Sequence, residues 1–115
     1  MLYTTWKVGE EEYKLRLTSK NTIVLEEKLG KHPLEVIMGI QDQALPKTSD
    51  IVFIIYYSLR AYHPTIKLDA VYDLYDEFVS EGNSITNIIQ VLVDIFKTAG
   101  FIPEEMEVDT EGKNV

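Results

Sequence analysis

The segment that most constrains the fold is residues 51–62, which is apolar apart from Ser58 and Arg60. Its longest uninterrupted apolar run has seven residues, whereas a helix that crosses a bilayer needs ~20. A helix that is apolar nearly all round is otherwise buried at the centre of a domain. We therefore predict a central buried helix over residues 47–62. The capping oxygens expected at its start belong to Thr48, Ser49 and Asp50.

The first residues of the chain have the pattern of β-strands. Residues 3–8 and 12–17 are rich in β-branched, aromatic and aliphatic side chains, and Gly9 lies between the two segments. In the second segment, apolar and basic residues alternate with the period of a half-buried strand. The sequence therefore predicts an antiparallel β-hairpin over residues 3–17.

Three further segments have helical periodicity and a glycine directly after them. We predict helices over residues 19–29, 68–81 and 84–99, followed by Gly30, Gly82 and Gly100. Thr18 or Ser19 is expected to cap the first of these helices, and Ser84 the last. The apolar stripe of the second consists of Leu68, Val71, Tyr72, Tyr75, Phe78 and Val79, and for Tyr72 and Tyr75 we favour burial in the core.

Residues 33–40 fit two structures. Pro33 suits the first position of a helix, and Leu34, Ile37 and Met38 would share one face of it. The apolar residues 36–40 equally fit a short strand. We favour the helix, followed by a loop over residues 41–46.

Together these elements predict an α+β fold, with an N-terminal antiparallel hairpin followed by a bundle of four or five helices. Residues 1–102 form the single domain. Residues 103–115 are predicted to be a disordered acidic tail, because they have no hydrophobic periodicity. Five of the 19 acidic residues and one of the 11 basic residues lie there, so the tail carries half of the net charge of -8.

Composition excludes several classes of function. The chain has no cysteine, so disulfides, thiol catalysis and thiolate metal sites are excluded. The acidic excess argues against binding to nucleic acid or to an anionic membrane, since both need clustered Lys and Arg. Residues 1–16 hold no apolar signal-peptide core. We therefore expect a cytoplasmic protein.

The sequence offers little catalytic chemistry. His32 and His63 each precede a proline and lack metal-ligand spacing. Asp69, Asp73 and Glu77 repeat every four residues and are a candidate metal site, although such a row is more typical of a solvated helix face. We expect no enzyme, no catalytic residue, no bound metal and no cofactor.

Aromatic side chains are concentrated on the predicted helix 47–62 and just after it. Phe53, Tyr56, Tyr57 and Tyr62 are the candidate protein-interaction residues, because so apolar a helix is hard to cover completely in a small domain. Burial in the core and contact with a partner or a second copy are both compatible with this pattern. A homo-oligomer formed through this region is expected.

Several short motifs resemble one protein family when they are taken in order. They occupy residues 3–9 and 12–18, residues 25–30 with 33–34, residues 66–68 with 71–76, and residues 95–97 with 100–101. The motifs are structural rather than catalytic, and their order and combination carry the resemblance. On these motifs the chain is similar, over residues 1–102, to tail assembly chaperones of siphophages and prophages of Gram-positive bacteria.

This resemblance implies a non-enzymatic factor that binds the long helical tape measure protein and recruits tail tube subunits. Such a chaperone self-associates, acts in the bacterial host cytoplasm and is absent from the mature virion. The short product of a programmed frameshift would match this chain. An alternative from another class is an acidic decoy that mimics DNA and blocks a host enzyme, which the charge of -8 would suit.

Overall fold

The computed structural model describes residues 2–105. Within this range an antiparallel β-hairpin is followed by five α-helices, which confirms the predicted α+β fold. The predicted tail falls mostly outside the described residues. The elements are β1 (Thr4–Val8), β2 (Glu11–Leu15), α1 (Ser19–Leu29), α2 (Glu35–Met38), a 3-10 helix (Gly39–Asp42), α3 (Thr48–Leu59), α4 (Leu68–Ser80) and α5 (Ile85–Ala99).

The hairpin is joined by a two-residue turn. Val8 pairs with Glu11, and Gly9 between them has a φ of 63°. Two-residue hairpin turns need a positive φ, which glycine adopts without a steric cost. The Gly9 N–H also donates a hydrogen bond to the Glu81 carboxylate, so the turn is fixed to the end of α4.

The buried face of the hairpin covers the helices. Thr4, Trp6 and Val8 alternate with exposed residues along β1, as expected for a strand with one face in the core. Trp6 contacts the ring of Phe78 on α4, and the Thr4 hydroxyl hydrogen-bonds the Asp94 carbonyl on α5 at 3.0 Å. The sheet therefore packs across the two C-terminal helices.

Local capping signals determine the ends of α1 and α5. The Thr18 hydroxyl accepts a hydrogen bond from the Asn21 N–H, and Gly30 ends α1 at a φ of 73°. Ser84 and Asn87 form a capping box at the start of α5. Gly100 ends α5 at a φ of 84°. The predicted bounds of these two helices are correct to within one residue.

The region 33–46 differs in detail from the prediction. A helix is present, but α2 has only four residues and continues as the 3-10 helix as far as Asp42. The alternative strand is wrong, and the predicted loop begins later than residue 41. The Gly39 carbonyl accepts hydrogen bonds from the Gln43 and Ala44 N–H groups, and the chain leaves the turn at Gln43, whose φ is 63°.

Helix α3 is the central helix of the domain, and it packs against α1, α4, α5 and β2. It is shorter than the predicted 47–62, because the N–H groups of Tyr62 and His63 both bond back to the Leu59 carbonyl and close a turn there. The most buried residues of α3, with relative exposure of 0%, are Ile51, Ile54, Ile55, Ser58 and Leu59. No helix within residues 2–105 has the length and apolarity needed to cross a lipid bilayer.

The start of α3 corrects the predicted capping. Lys47 is the N-cap residue, and no side chain caps the helix there. Asp50 is instead buried, and its carboxylate pairs with Lys31 at 3.1 Å. A carboxylate in the first helical turn also interacts favourably with the helix dipole. Asp50 therefore links the start of α3 to the segment that follows α1.

We expect Lys31→Met to lower the free energy of unfolding by about 1–2 kcal/mol, since it leaves the Asp50 carboxylate buried without its partner. Asp50→Asn should cost less, because the Lys31 side chain keeps 34% exposure and can be hydrated. Urea unfolding of both variants measures the difference. Equal stability of Lys31→Met and the unaltered protein would contradict this role.

Candidate protein-interaction surface

Three of the four predicted interaction residues share one side of α3. Phe53, Tyr56 and Tyr57 lie at helical spacings of three and four residues, which places them on adjacent turns of the same face. All three are partly buried and pack against the core, while the opposite side of α3 is fully buried. We call these three side chains the aromatic face.

Neighbouring side chains position the aromatic face. The rings of Tyr56 and Tyr57 meet edge to face, with 4.9 Å between their centroids. Arg60 lies over the Tyr56 ring at 5.6 Å, and its Nη1 donates a hydrogen bond of 2.8 Å to the Tyr56 hydroxyl. The Lys28 ammonium, from α1, lies 5.4 Å from the Phe53 ring centroid. The aromatic face is therefore bordered by cations at both ends.

Tyr62 lies apart from the other three predicted residues. Its ring contacts the Tyr3 ring edge to face at 5.7 Å, and the Lys14 ammonium lies 5.6 Å from its centroid. These contacts attach Tyr62 to the hairpin rather than to the aromatic face. The structure thus divides the predicted set into a group of three on α3 and one residue beside β2.

A groove of about 270 Å³ separates the first half of α3 from α4. Phe53 lines it, whereas Tyr56 and Tyr57 do not. We call it the α3–α4 groove. Its lining is formed by Thr48, Ser49, Val52, Phe53, Tyr72, Tyr75 and Asp76.

The prediction that Tyr72 lies in the core is wrong, since 45% of its surface is exposed. The inward side of α4 is formed by Val71 and Phe78, which are buried, and by the partly buried Leu74. Tyr72 lies at the outer edge of the apolar stripe, next to acidic positions. This position beside acidic residues is the feature of the sequence that could have indicated that one side of the ring faces solvent.

The acidic residues of α4 do not form a metal site. Asp69, Asp73 and Asp76 are exposed, whereas the Glu77 carboxylate lies beside Gly9 of the hairpin turn. Among the side chains of residues 2–105, no group of three or more His, Asp or Glu is arranged to hold a metal ion. The candidate metal ligands Asp69, Asp73 and Glu77 are therefore not brought together.

The two histidines take part in local packing. The His32 ring contacts the Phe101 ring at 4.7 Å, and its Nδ1 accepts a hydrogen bond from the Leu34 N–H. The His63 ring contacts the Tyr13 ring at 5.6 Å. Both rings thus join chain segments that are distant in sequence.

A larger depression, of about 380 Å³, lies where β1 meets α5, and Tyr3, Thr5 and Lys97 are among its lining residues. Two of its polar residues, Thr4 and Asp94, have hydrogen-bond partners within the chain. The Thr4 hydroxyl lies 3.0 Å from the Thr98 hydroxyl, and the Asp94 carboxylate accepts a hydrogen bond of 3.0 Å from Gln90. These bonds connect the strand to the helix.

Two tyrosines of the domain have perturbed acidities. Burial raises the pKa of Tyr75, and the nearby Asp76 carboxylate raises it further. Burial also raises the pKa of Tyr13, with smaller contributions from Glu11 and Glu77. In each case, the surroundings disfavour the negatively charged phenolate.

We expect these raised pKa values to make the fold lose stability at alkaline pH. The unfolded tyrosines ionise near their ordinary pKa of about 10, before the folded ones, so the contribution is complete below that pH. It is lost as the pH rises through the raised folded-state pKa. Unfolding free energies between pH 8 and 11 measure the loss, which Tyr13→Phe and Tyr75→Phe should each reduce. An unchanged slope in the double variant would contradict this assignment.

Searches with this sequence and structure find no matching family model, no matching curated protein and no matching solved structure.

Proposed function

We propose that this chain is a non-enzymatic phage tail assembly chaperone. It binds the helical tape measure protein, keeps it soluble and recruits tail tube subunits. It acts in the cytoplasm of the bacterial host as a homo-oligomer, and it leaves before the virion is complete. The order of motifs along residues 1–102 supports this proposal, as does the hairpin followed by helices.

The observation that carries the proposal is the incomplete burial of the aromatic face. Phe53, Tyr56 and Tyr57 retain solvent contact on the most central helix of the domain. Tyr and Phe are enriched where proteins bind one another, since they supply a large apolar area with little conformational freedom to lose. An amphipathic helix bound against such a face would bury its own apolar stripe.

The charge of the chain fits the same task. A chaperone that holds an apolar client has to keep the complex from aggregating, and a net charge far from zero opposes association between complexes. The whole chain has a net charge of -8. Half of this charge belongs to residues after Pro103.

Co-expression tests the proposal. The tape measure protein encoded in the same gene neighbourhood is produced with and without this chain, and its soluble fraction is measured together with the amount of this chain that co-purifies. We expect a soluble complex only when both proteins are present. Equal solubility in both cases, with no complex recovered, would contradict the proposal.

A matched pair of variants locates the contact. Tyr56→Ser should weaken co-purification about tenfold, because truncation of an aromatic residue at an interface centre has effects of that size. Ile23→Ser is the control, since Ile23 is an exposed apolar residue, at 59%, on a different helix. Circular dichroism verifies that both variants are folded. Equal effects of the two substitutions would contradict an assignment of binding to the aromatic face.

A further inference from the structure

We propose that a strip across α1, α3 and α4 is the surface through which two copies of this chain bind one another, with each strip covering the other. The inference rests on the self-association included in the proposed function, and it specifies the surface responsible. The strip has a basic edge on α1, an apolar centre and an acidic edge on α4. Its residues are Lys20, Val24, Lys28, Phe53, Tyr72, Asp69, Asp73 and Asp76.

Contacts within one copy establish the order across the strip. Lys28 lies 5.4 Å from the Phe53 ring, which places the basic edge next to the apolar centre. On its other side, Phe53 shares the α3–α4 groove with Tyr72 and Asp76. Positive charge, apolar surface and negative charge therefore follow one another across three neighbouring helices.

The basic edge lies on α1, and Lys28 connects it to α3 through the Phe53 ring. Lys20, Val24 and Lys28 follow at intervals of four residues, so they share a side of the helix, and all three are exposed. Val24 is 43% exposed between the two lysines. This edge thus combines two cations with apolar surface that the domain does not cover, and the exposed Glu27 borders it on the side away from Lys28.

The acidic edge lies on the outer side of α4. Asp69, Asp73 and Asp76 lie within one turn of Tyr72, and α4 contains no basic residue. Within the described part of the chain, no Lys or Arg forms an ion pair with these three carboxylates. Their charge is therefore available to a cation from outside the domain.

A second copy supplies the complement of this strip. When two copies face each other about a two-fold axis parallel to α3, the basic edge of each copy lies on the acidic edge of the other. Phe53 and Tyr72 of both copies are then covered at the centre of the interface. An axis across the helices would instead oppose like charges. A second copy can therefore pair with both charged edges of the strip, whereas a partner of a single charge could pair with only one of them. Tyr56 and Tyr57 lie outside the α3–α4 groove, so in this dimer they, and not Phe53, are the residues of the aromatic face that remain for the tape measure protein.

Charge reversal tests this arrangement by sedimentation velocity at matched concentrations and low salt. Lys28→Glu replaces a cation of the basic edge with a carboxylate, and Asp76→Lys replaces a carboxylate of the acidic edge with a cation. We expect each variant alone to dimerise at least about tenfold more weakly than the unaltered chain. An equimolar mixture of the two should dimerise again, because each then offers the charge that the other needs. The double variant should return to within about threefold of the unaltered chain.

Lys7→Glu and Glu10→Lys are the matched controls, since both residues are exposed on the hairpin outside the strip. They should leave dimerisation unchanged. A monomeric unaltered chain, single variants that dimerise normally, or a mixture no better than its components would each overturn the proposal. If this chain is monomeric and still forms soluble complexes with the tape measure protein, the dimer surface is wrong and the proposed function stands. If it dimerises through the strip but binds no tape measure protein, the proposed function is wrong and the dimer surface stands.

Discussion

Trp6→Ala is expected to lower the free energy of unfolding by about 3–5 kcal/mol, the range observed when a large buried aromatic residue is truncated. Trp6 is 1% exposed, and its ring contacts Phe78 at 5.5 Å and Tyr13 at 6.3 Å. The substitution would leave a cavity between the hairpin and α4. A domain of this size has a total stability of about 5–15 kcal/mol, so the variant should unfold at a much lower temperature and urea concentration than the unaltered chain.

Trp6→Phe separates the loss of volume from the loss of the polar group. The indole Nε1 of Trp6 is buried and has no hydrogen-bond partner within the described chain. A buried donor without a partner costs about 1–3 kcal/mol, and phenylalanine removes this cost while it retains most of the ring. We therefore expect Trp6→Phe to lose less than about 1.5 kcal/mol. Urea unfolding followed by circular dichroism measures both variants, and equal losses would contradict this account of the packing.

Phe96→Ala is expected to have an effect of similar size, about 3–5 kcal/mol. Phe96 is 0% exposed on α5, and its ring lies 5.7 Å from that of Phe101. The two residues also close the helix, because the Phe101 N–H bonds the Phe96 carbonyl at 2.9 Å around Gly100. This is a Schellman ending with its accompanying hydrophobic contact. Truncation of Phe96 therefore opens the core and removes the side-chain contact that holds the helix end.

Phe101→Ala is the matched control for that prediction. It removes the same ring contact but opens a smaller cavity, since Phe101 is only partly buried. A loss of about 1–2 kcal/mol is expected, well below that of Phe96→Ala. Thermal unfolding of the two variants compares them directly. A loss for Phe101→Ala as large as that for Phe96→Ala would show that the end of α5, rather than the core, determines the stability.

The parts of the fold that could be predicted from sequence are determined by contacts between residues that are close in sequence. The hairpin follows from alternation around Gly9, and the ends of α1 and α5 follow from Thr18, Gly30 and Gly100. In each case, the cap or turn contacts residues only a few positions away. Such signals can be recognised without any knowledge of the tertiary structure.

The errors have tertiary causes. Asp50 resembles a cap in sequence, but it lies inside the first turn of α3, where Lys31 pairs with it; the N-cap position is taken by Lys47, whose side chain has no acceptor. Tyr72 belongs to an apolar stripe, yet the stripe is wider than the surface that α3 covers, and its outer edge faces solvent. The α3–α4 groove and the charge order across the strip arise only when three helices pack together. The aromatic residues could be predicted as candidates, but their separation from Tyr62 could not.

The central claim is that this chain binds the tape measure protein, and native mass spectrometry of the purified proteins tests it most directly. The unaltered chain is mixed with the tape measure protein, or with a long soluble segment of it, and the mass of each species is determined. We expect a complex in which several copies of this chain bind one tape measure chain, and Tyr56→Ser should reduce its amount while Ile23→Ser does not. Separate masses for the two proteins at every mixing ratio would contradict the claim.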